Sequence, residues 1–314
     1  MSEKPASGPY VARQTSPIVS LTLVIAVGLG WTAATALTRL CIESGIPYFV
    51  MVFWPNVLGA VIAGTWLLVK RRRVPLGWRY LKLYGLLGLL GNALPVVVIV
   101  FVAPRIPLGV FTIDMALEPA FTYGFALILA LERFHAVRFF GLLLGLGGLT
   151  LIILPQAGLP SPDMVPWVAL GLAAPLSWAI LSVWIARYRP PEADAVVITF
   201  GLTVASVLWT LPLLFATGDW SWVPTQFGAG EGMMIAIAAV VIVTWVIAFE
   251  CIRLAGPVFY AAWGYVSTLA GIVVGIVVWH EFHSAWVWAA AAVILAGLFL
   301  LNQTTRQARI LSPE

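Results

Sequence analysis

Charge is what this sequence has least of. Of its 314 residues only 10% are Asp, Glu, Lys or Arg, while 61% are hydrophobic, and the mean hydropathy is +1.00. A soluble domain carries roughly 25% charged residues. A water-facing exterior is therefore excluded, and most of the surface must meet lipid. Cysteine is almost absent: Cys41 and Cys251 stand far apart in apolar segments, which excludes a disulfide framework and a cysteine metal site. Histidine is scarce too, and His135, His280 and His283 fall where apolar stretches end. The run His280-Glu281-Phe282-His283 lacks the two His four apart that a zinc protease needs. No GxxxxGK[ST] phosphate loop occurs. No Ser–His pair is suggested, which disfavours an embedded hydrolase or transferase. Neither a metal nor a cofactor is expected.

Apolar runs are what the sequence has in plenty. A bilayer core needs roughly 20 apolar residues per helix, and ten stretches qualify: 18–38, 47–69, 80–103, 108–130, 137–154, 166–186, 195–216, 232–252, 257–279 and 285–302. Pro104-Arg105-Ile106-Pro107 divides the third from the fourth. The links leave no room for a soluble module. The 15 tryptophans suit a membrane interface. Residues 1–17 are polar, lack the order of a signal peptide and are expected to form a tail, as are residues 303–314.

The basic residues orient these spans. With the N-terminus cytoplasmic, Lys4, Arg13, Lys70, Arg71, Arg72, Arg73, Arg79, Lys82, Arg133, Arg138, Arg187, Arg189, Arg253, Arg306 and Arg309 fall inside, and only Arg39 and Arg105 fall outside. The Lys70–Arg73 run is a topology signal, not a nucleic-acid patch. A multi-pass protein of the cell (inner) membrane follows, with both termini cytoplasmic.

The chain repeats itself. Residues 105–154 and 253–302 share an Arg, a Gly/Pro break, an apolar helix ending in Glu, a polar link and a helix rich in small residues. Glu132 and Glu281 lie 149 residues apart, and Gly148 and Gly297 share that offset. Trp31 with Arg39 is echoed by Trp178 with Arg187. The expected fold is an all-α integral membrane protein with ten transmembrane helices, built as two five-helix repeats, 18–154 and 155–302. Five is odd, so the second repeat must be inverted. Inverted repeats are a secondary-transporter architecture, with the site near the midplane between them.

The pattern Pro119, then Leu131-Glu132-Arg133, then Gly147-Gly148, resembles the EamA-type family of the drug/metabolite transporter superfamily. So does His280-Glu281 followed by Ala296-Gly297. The resemblance covers nearly the whole chain and makes Glu132 and Glu281 family-pattern residues. It implies a ten-helix carrier, often an exporter of amino acids or other small metabolites, driven by gradients rather than ATP. Two positions depart from the pattern: Thr268 where a proline is common, and Trp54-Pro55-Asn56 where many members place an Arg.

Ionisable groups inside a membrane are costly and functional by default. Asp114 and Glu118 lie four apart on one face of the fourth span. At ~1.5 Å per residue, Glu118 sits ~15 Å deep, near the bilayer centre. With no basic residue on its span at that depth, it either holds a proton or waits for a cation. Glu118 is thus the candidate proton carrier, or the partner of a substrate ammonium. Prolines at 55, 95, 119, 175 and 212 are expected to break helices near Asn56, Asn92 and Trp178, exposing backbone groups to a substrate. Under the repeat offset Glu118 corresponds to Ser267 and Asp114 to Trp263. Trp263, Tyr265, Ser267, Thr268, Thr244 and Trp245 then form an aromatic and hydroxyl wall facing the acids. Such a pair of walls suits an amine or zwitterion. No Lys or Arg lies near the midplane, which disfavours phosphate-rich substrates.

Glu250/Arg253 and Arg39/Glu43 read as interfacial pairs. Gly141-xxx-Gly145 and Gly271-xxx-Gly275 read as close-packing faces. The expected partners are a small-molecule substrate and the bilayer, with no nucleic acid, and a homodimer is compatible with the sequence. A channel or assembly subunit is the alternative class, ahead of an embedded enzyme.

Overall fold

The computed structural model describes residues 16–102, 117–153, 165–190, 193–219, 229–280 and, between 288 and 300, the residues 288–289, 292–293, 295–297 and 299–300. Asp114, Glu281, His283, the 104–107 link and both tails lie outside the described residues, as do the side chains of Arg39 and Thr268.

The described residues are helical, with no strand among them. Their order is α1 Pro17–Glu43, α2 Tyr48–Val69, α3 Trp78–Gly88, a π-turn Leu89–Ala93, α4 Leu94–Val102, α5 Glu118–Ile128, α6 Ala136–Ile153, α7 Val165–Gly171, α8 Ala173–Tyr188, α9 Ala195–Thr217, α10 Ala229–Ala255, α11 Pro257–Ala261 and α12 Trp263–Trp279. Among the described residues six helical stretches are long and apolar enough to cross a membrane: Pro17–Glu43, Phe49–Val69, Ala169–Tyr188, Ala195–Thr217, Gly230–Ala255 and Pro257–Val278. Their outward side chains are large and apolar. Leu208 is 66% exposed, Val61 60% and Val277 68%. Water would penalise such a surface, whereas lipid does not.

The core forms where helices cross closely. α1 packs along α10 and α12, α9 along α2 and α3, and α5 along α8. Gly28 permits the α1–α12 crossing, because a Cβ there would stand 2.6 Å from the Cβ of Val266. Thr32, one turn on, bonds across the same contact, its Oγ1 lying 3.0 Å from Ser267 Oγ. α10 passes into α11 through Gly256 alone, at φ +90°. Glycine takes that conformation without a Cβ penalty, and Pro257 then starts the next helix with φ already set.

Prolines act in two different ways here. α2 runs through Pro55 and α9 through Pro212 without interruption, so the breaks expected at those positions do not occur. Packing on both sides holds a helix that has lost one hydrogen bond. Pro95 does break regularity. Leu94 N–H bonds to Leu89 O in π register, which would hand the Leu90 carbonyl to residue 95, and proline has no N–H to give. The α register would orphan Gly91 O in the same way. α8 supplies the missing donors: Ser177 Oγ bonds Leu90 O at 2.6 Å and Trp178 Nε1 bonds Gly91 O at 3.0 Å. Pro175 and Pro119 stand in first turns, of α8 and α5, where a missing N–H costs little.

The two glycine faces behave differently. A Cβ on Gly297 would stand 2.7 Å from Gly141 O and 2.9 Å from Gly145 N, so that face is a close helix contact. Gly271 of the second stripe meets nothing within 4 Å among the described residues, so it makes no such contact there.

Candidate functional site

Glu118 opens α5 and is 3% exposed, with its Oε1 lacking a hydrogen-bond partner. Among the described residues no Lys or Arg faces it. Its electrostatic neighbours are the Trp263 indole, Tyr260 and Tyr265. α11 lies against α5, which carries Tyr260 to the carboxyl. The Trp263 N–H lies beside Glu118 and the Trp31 N–H beside the Tyr260 hydroxyl, yet neither reaches hydrogen-bond geometry.

The Trp263 indole beside this carboxyl belongs to a chain of packed aromatic rings. Trp31 meets Trp245 edge-on at 5.3 Å between centroids and Trp263 at 5.9 Å. Trp178 meets Trp263 edge-on at 6.4 Å. Trp245 stacks on Phe249 at 5.3 Å. Such pairs contribute about 0.5–1.5 kcal/mol each beyond the area they bury, so the rings form a stiff wall drawn from α1, α8, α10 and α12.

Polar groups without partners concentrate here. Of the seven buried side-chain N and O atoms lacking a hydrogen bond among the described residues, Trp31 Nε1, Trp263 Nε1, Glu118 Oε1 and Thr122 Oγ1 belong to this cluster or lie one turn from it. Buried polar groups are ordinarily satisfied. Thr122 is telling, because Thr32, Thr199, Thr203, Thr210 and Thr244 each bond the carbonyl four residues back, and Thr122 does not. Two N–H donors, a hydroxyl and a carboxyl oxygen beside aromatic faces can hold a small molecule that carries both a cation and hydrogen-bonding groups.

The structure brings Glu118, Trp245, Trp263 and Trp178 into one neighbourhood, with Trp178 contributing its ring only. Its N–H is committed to Gly91 O, so the indole has no donor left over. Asn92 Nδ2 bonds Asn56 Oδ1 at 2.9 Å, and Asn56 Nδ2 bonds Val52 O at 2.6 Å. The two Asn therefore tie α2 to the π-turn. Ser267 is bonded to Thr32. Tyr265 is 1% exposed, lies over Gly145, and its hydroxyl meets Leu142 O at 3.4 Å, a packing role beside its proximity to Glu118. Trp31 and Tyr260 were not singled out as site residues by sequence. Trp31 carried a signal, its place in the repeat opposite Trp178, whereas Tyr260 carried none.

The ion pairs among the described residues do not involve Glu118. Glu132 pairs with Arg138. It is presented by a left-handed turn in which Ala130 has φ +53° and Leu131 N bonds Ala126 O at 2.8 Å. Glu250 pairs with Arg253 and also with Arg189, at 3.0 Å.

These features define a multi-pass helical membrane protein with a buried carboxyl beside a tryptophan cluster. Residues 18–154, a little under half of the chain, match the family model of the EamA-like transporter family, a family of the drug/metabolite transporter superfamily. A solved crystal structure, titled only as that of a protein, is similar in fold. Its TM-score is 0.68 at 20% identity, covering 89% of this chain and 98% of that one. No curated protein matches the sequence significantly.

Proposed function

We propose that the protein is a secondary active transporter that exports small amines or amino acids across the cell membrane, with Glu118 exchanging substrate for a proton. Its ten helices form two inverted five-helix repeats, 18–154 and 155–302, that rock about the aromatic cluster, and both termini are cytoplasmic. One observation carries the reading: a buried carboxyl with an unpartnered oxygen and no cation facing it among the described residues, beside Trp263 and the rings of Trp31 and Trp245 that pack on from it, in a chain whose residues 18–154 match the EamA-like family. An ionised carboxylate in such a place needs a positive partner, and proton and ammonium are interchangeable in that role. Gradient-driven exchange then follows from competition for one group, without ATP.

The test is flux in proteoliposomes of the purified protein, loaded with a panel of labelled amino acids and amines. Saturable counterflow stimulated by an opposing pH gradient supports the proposal. Ohmic current without saturation identifies a channel, and no flux for any panel member removes the transporter reading for this substrate class.

A further inference from the structure

A second feature lies on the outer surface of the bundle. Between the first turn of α3 and the last turns of α8 is a cavity of about 360 Å³, lined by Trp78, Arg79, Lys82, Leu83, Trp184 and Tyr188. Its walls are layered. Leu83 is buried at the floor, Trp184 and Tyr188 lie with ring centroids 4.2 Å apart along α8, and Trp78 is 71% exposed at the rim. The Lys82 ammonium rests 5.0 Å from the Trp78 ring centroid. Arg79 and Lys82 line the cavity without an acidic partner among the described residues. The exposed run Lys70–Arg73, which links α2 to α3, ends a few residues before it.

An apolar cleft with aromatic flanks and uncompensated cations at its mouth has the layering of a phospholipid. Acyl chains match the floor, indole and phenol rings occupy headgroup depth, and basic side chains meet the phosphate. Charge complementarity selects an anionic headgroup, because a zwitterionic one brings its own cation against Arg79 and Lys82. We propose that this cavity is a binding site for an anionic phospholipid, which clamps α3 to α8 from the lipid side. α3 leads into the π-turn and α8 supplies Ser177 and Trp178 to it, so the lipid braces the helix that carries Trp178 into the aromatic cluster. The proposal needs only the membrane character of the protein and is independent of what it transports.

Purified full-length protein, delipidated in a neutral detergent, is titrated with phosphatidylglycerol or phosphatidylcholine of identical acyl chains, and bound lipid is counted by native mass spectrometry. Wild type should retain phosphatidylglycerol roughly 30-fold more tightly, the scale set by two basic groups near an anionic headgroup. Arg79→Gln/Lys82→Gln should lose that preference, while Arg79→Lys/Lys82→Arg should keep it. Salt should erase it in wild type, which needs no variant to fold. Equal retention of the two lipids overturns the proposal, as does a preference unchanged by the Gln pair in a variant that melts like wild type. Displacement of the lipid by millimolar inorganic phosphate would assign the cavity to a soluble anion and overturn it too. A lipid-free dimer that the Gln pair dissociates would assign the cavity to a second copy of the chain, and that result also overturns the lipid site.

Discussion

The indole N–H of Trp178 donates to the carbonyl of Gly91 at 3.0 Å, and through that bond a proline in one helix fixes the position of a ring in another. Pro95 orphans the carbonyl and α8 answers it. The ring so anchored then packs edge-on against Trp263. Trp178→Phe should therefore act first on stability. It keeps the ring contact but leaves a carbonyl unsatisfied, a loss of about 1–3 kcal/mol. The melting temperature in detergent should fall, and Ser177→Ala should lower it as well, while apparent substrate affinity changes little. An unchanged melting temperature together with weakened affinity would return the indole N–H to the substrate.

Trp245 and Trp263 are expected to behave in the opposite way. Replacing either with Ala should raise the apparent substrate constant by roughly 3- to 30-fold, the range of a lost cation–π contact, and should change maximal rate less. Tyr265→Phe serves as the internal control, since its hydroxyl makes one long contact to Leu142 O and its ring packs on Gly145. If the Trp variants fold and keep wild-type affinity in the flux assay, the cluster is packing and not a binding wall.

The membrane character was legible because scarcity is a strong signal. So few charges cannot cover a soluble surface, and the structure accordingly turns residues such as Leu208 and Val61 outward. Glu118 stood out for the same reason, as one of two acids, with Asp114, on one face of an apolar span. The polar residues chosen for their neighbouring prolines fared differently. Proline marks a lost hydrogen bond, but sequence does not say who replaces it. At Gly91 the replacement comes from Trp178, 87 residues away. Tyr260 was invisible because its position depends on the Gly256 turn and on α11 reaching α5, neither of which has a local signature in hydropathy.

Arg189 offers a test of geometry rather than charge. Its guanidinium bonds Ala193 O through Nε at 3.1 Å and Nη2 at 2.7 Å, Phe249 O through Nη1 at 2.9 Å, and Glu250 through Nη2 at 3.0 Å. A lysine has one charged nitrogen and cannot reach three acceptors in a planar fork. Arg189→Lys should lower the melting temperature nearly as far as Arg189→Gln. Arg253→Gln should lower it least, because that pair is more exposed and solvent screens it. A lysine variant as stable as wild type would show that only the charge matters.

Topology can be tested without reference to substrate. In a background lacking Cys41 and Cys251, single cysteines at Ser161, Gly218 and Ser284 should react with an impermeant thiol reagent applied to intact cells. Cysteines at Ser7 and Gln307 should stay unlabelled until the cells are opened. The expectation rests on the distribution of basic residues and on an even number of spans. Labelling of either tail in intact cells would sink the ten-span inverted arrangement.

The coupling role of Glu118 is the most exposed of these expectations. The groups facing its carboxyl are the Trp263 indole from α12, Tyr260 from α11 and Tyr265 from α12. None is a cation, so within the described structure nothing but a proton or an incoming ligand can balance an ionised Glu118. If both compete for it, release of one accompanies capture of the other, and flux acquires a pH dependence from a single group. Glu118→Gln keeps the shape and removes the exchangeable charge, so the variant should fold and reach the membrane as wild type does. In liposomes with an imposed pH gradient it should no longer accumulate substrate against its gradient, although downhill counterflow of a neutral analogue survives. Asp114→Asn should instead shift affinity and leave the coupling intact. Accumulation by Glu118→Gln at the wild-type level would place the coupling group elsewhere, and loss of coupling in Asp114→Asn alone would move it one helical turn along the same span.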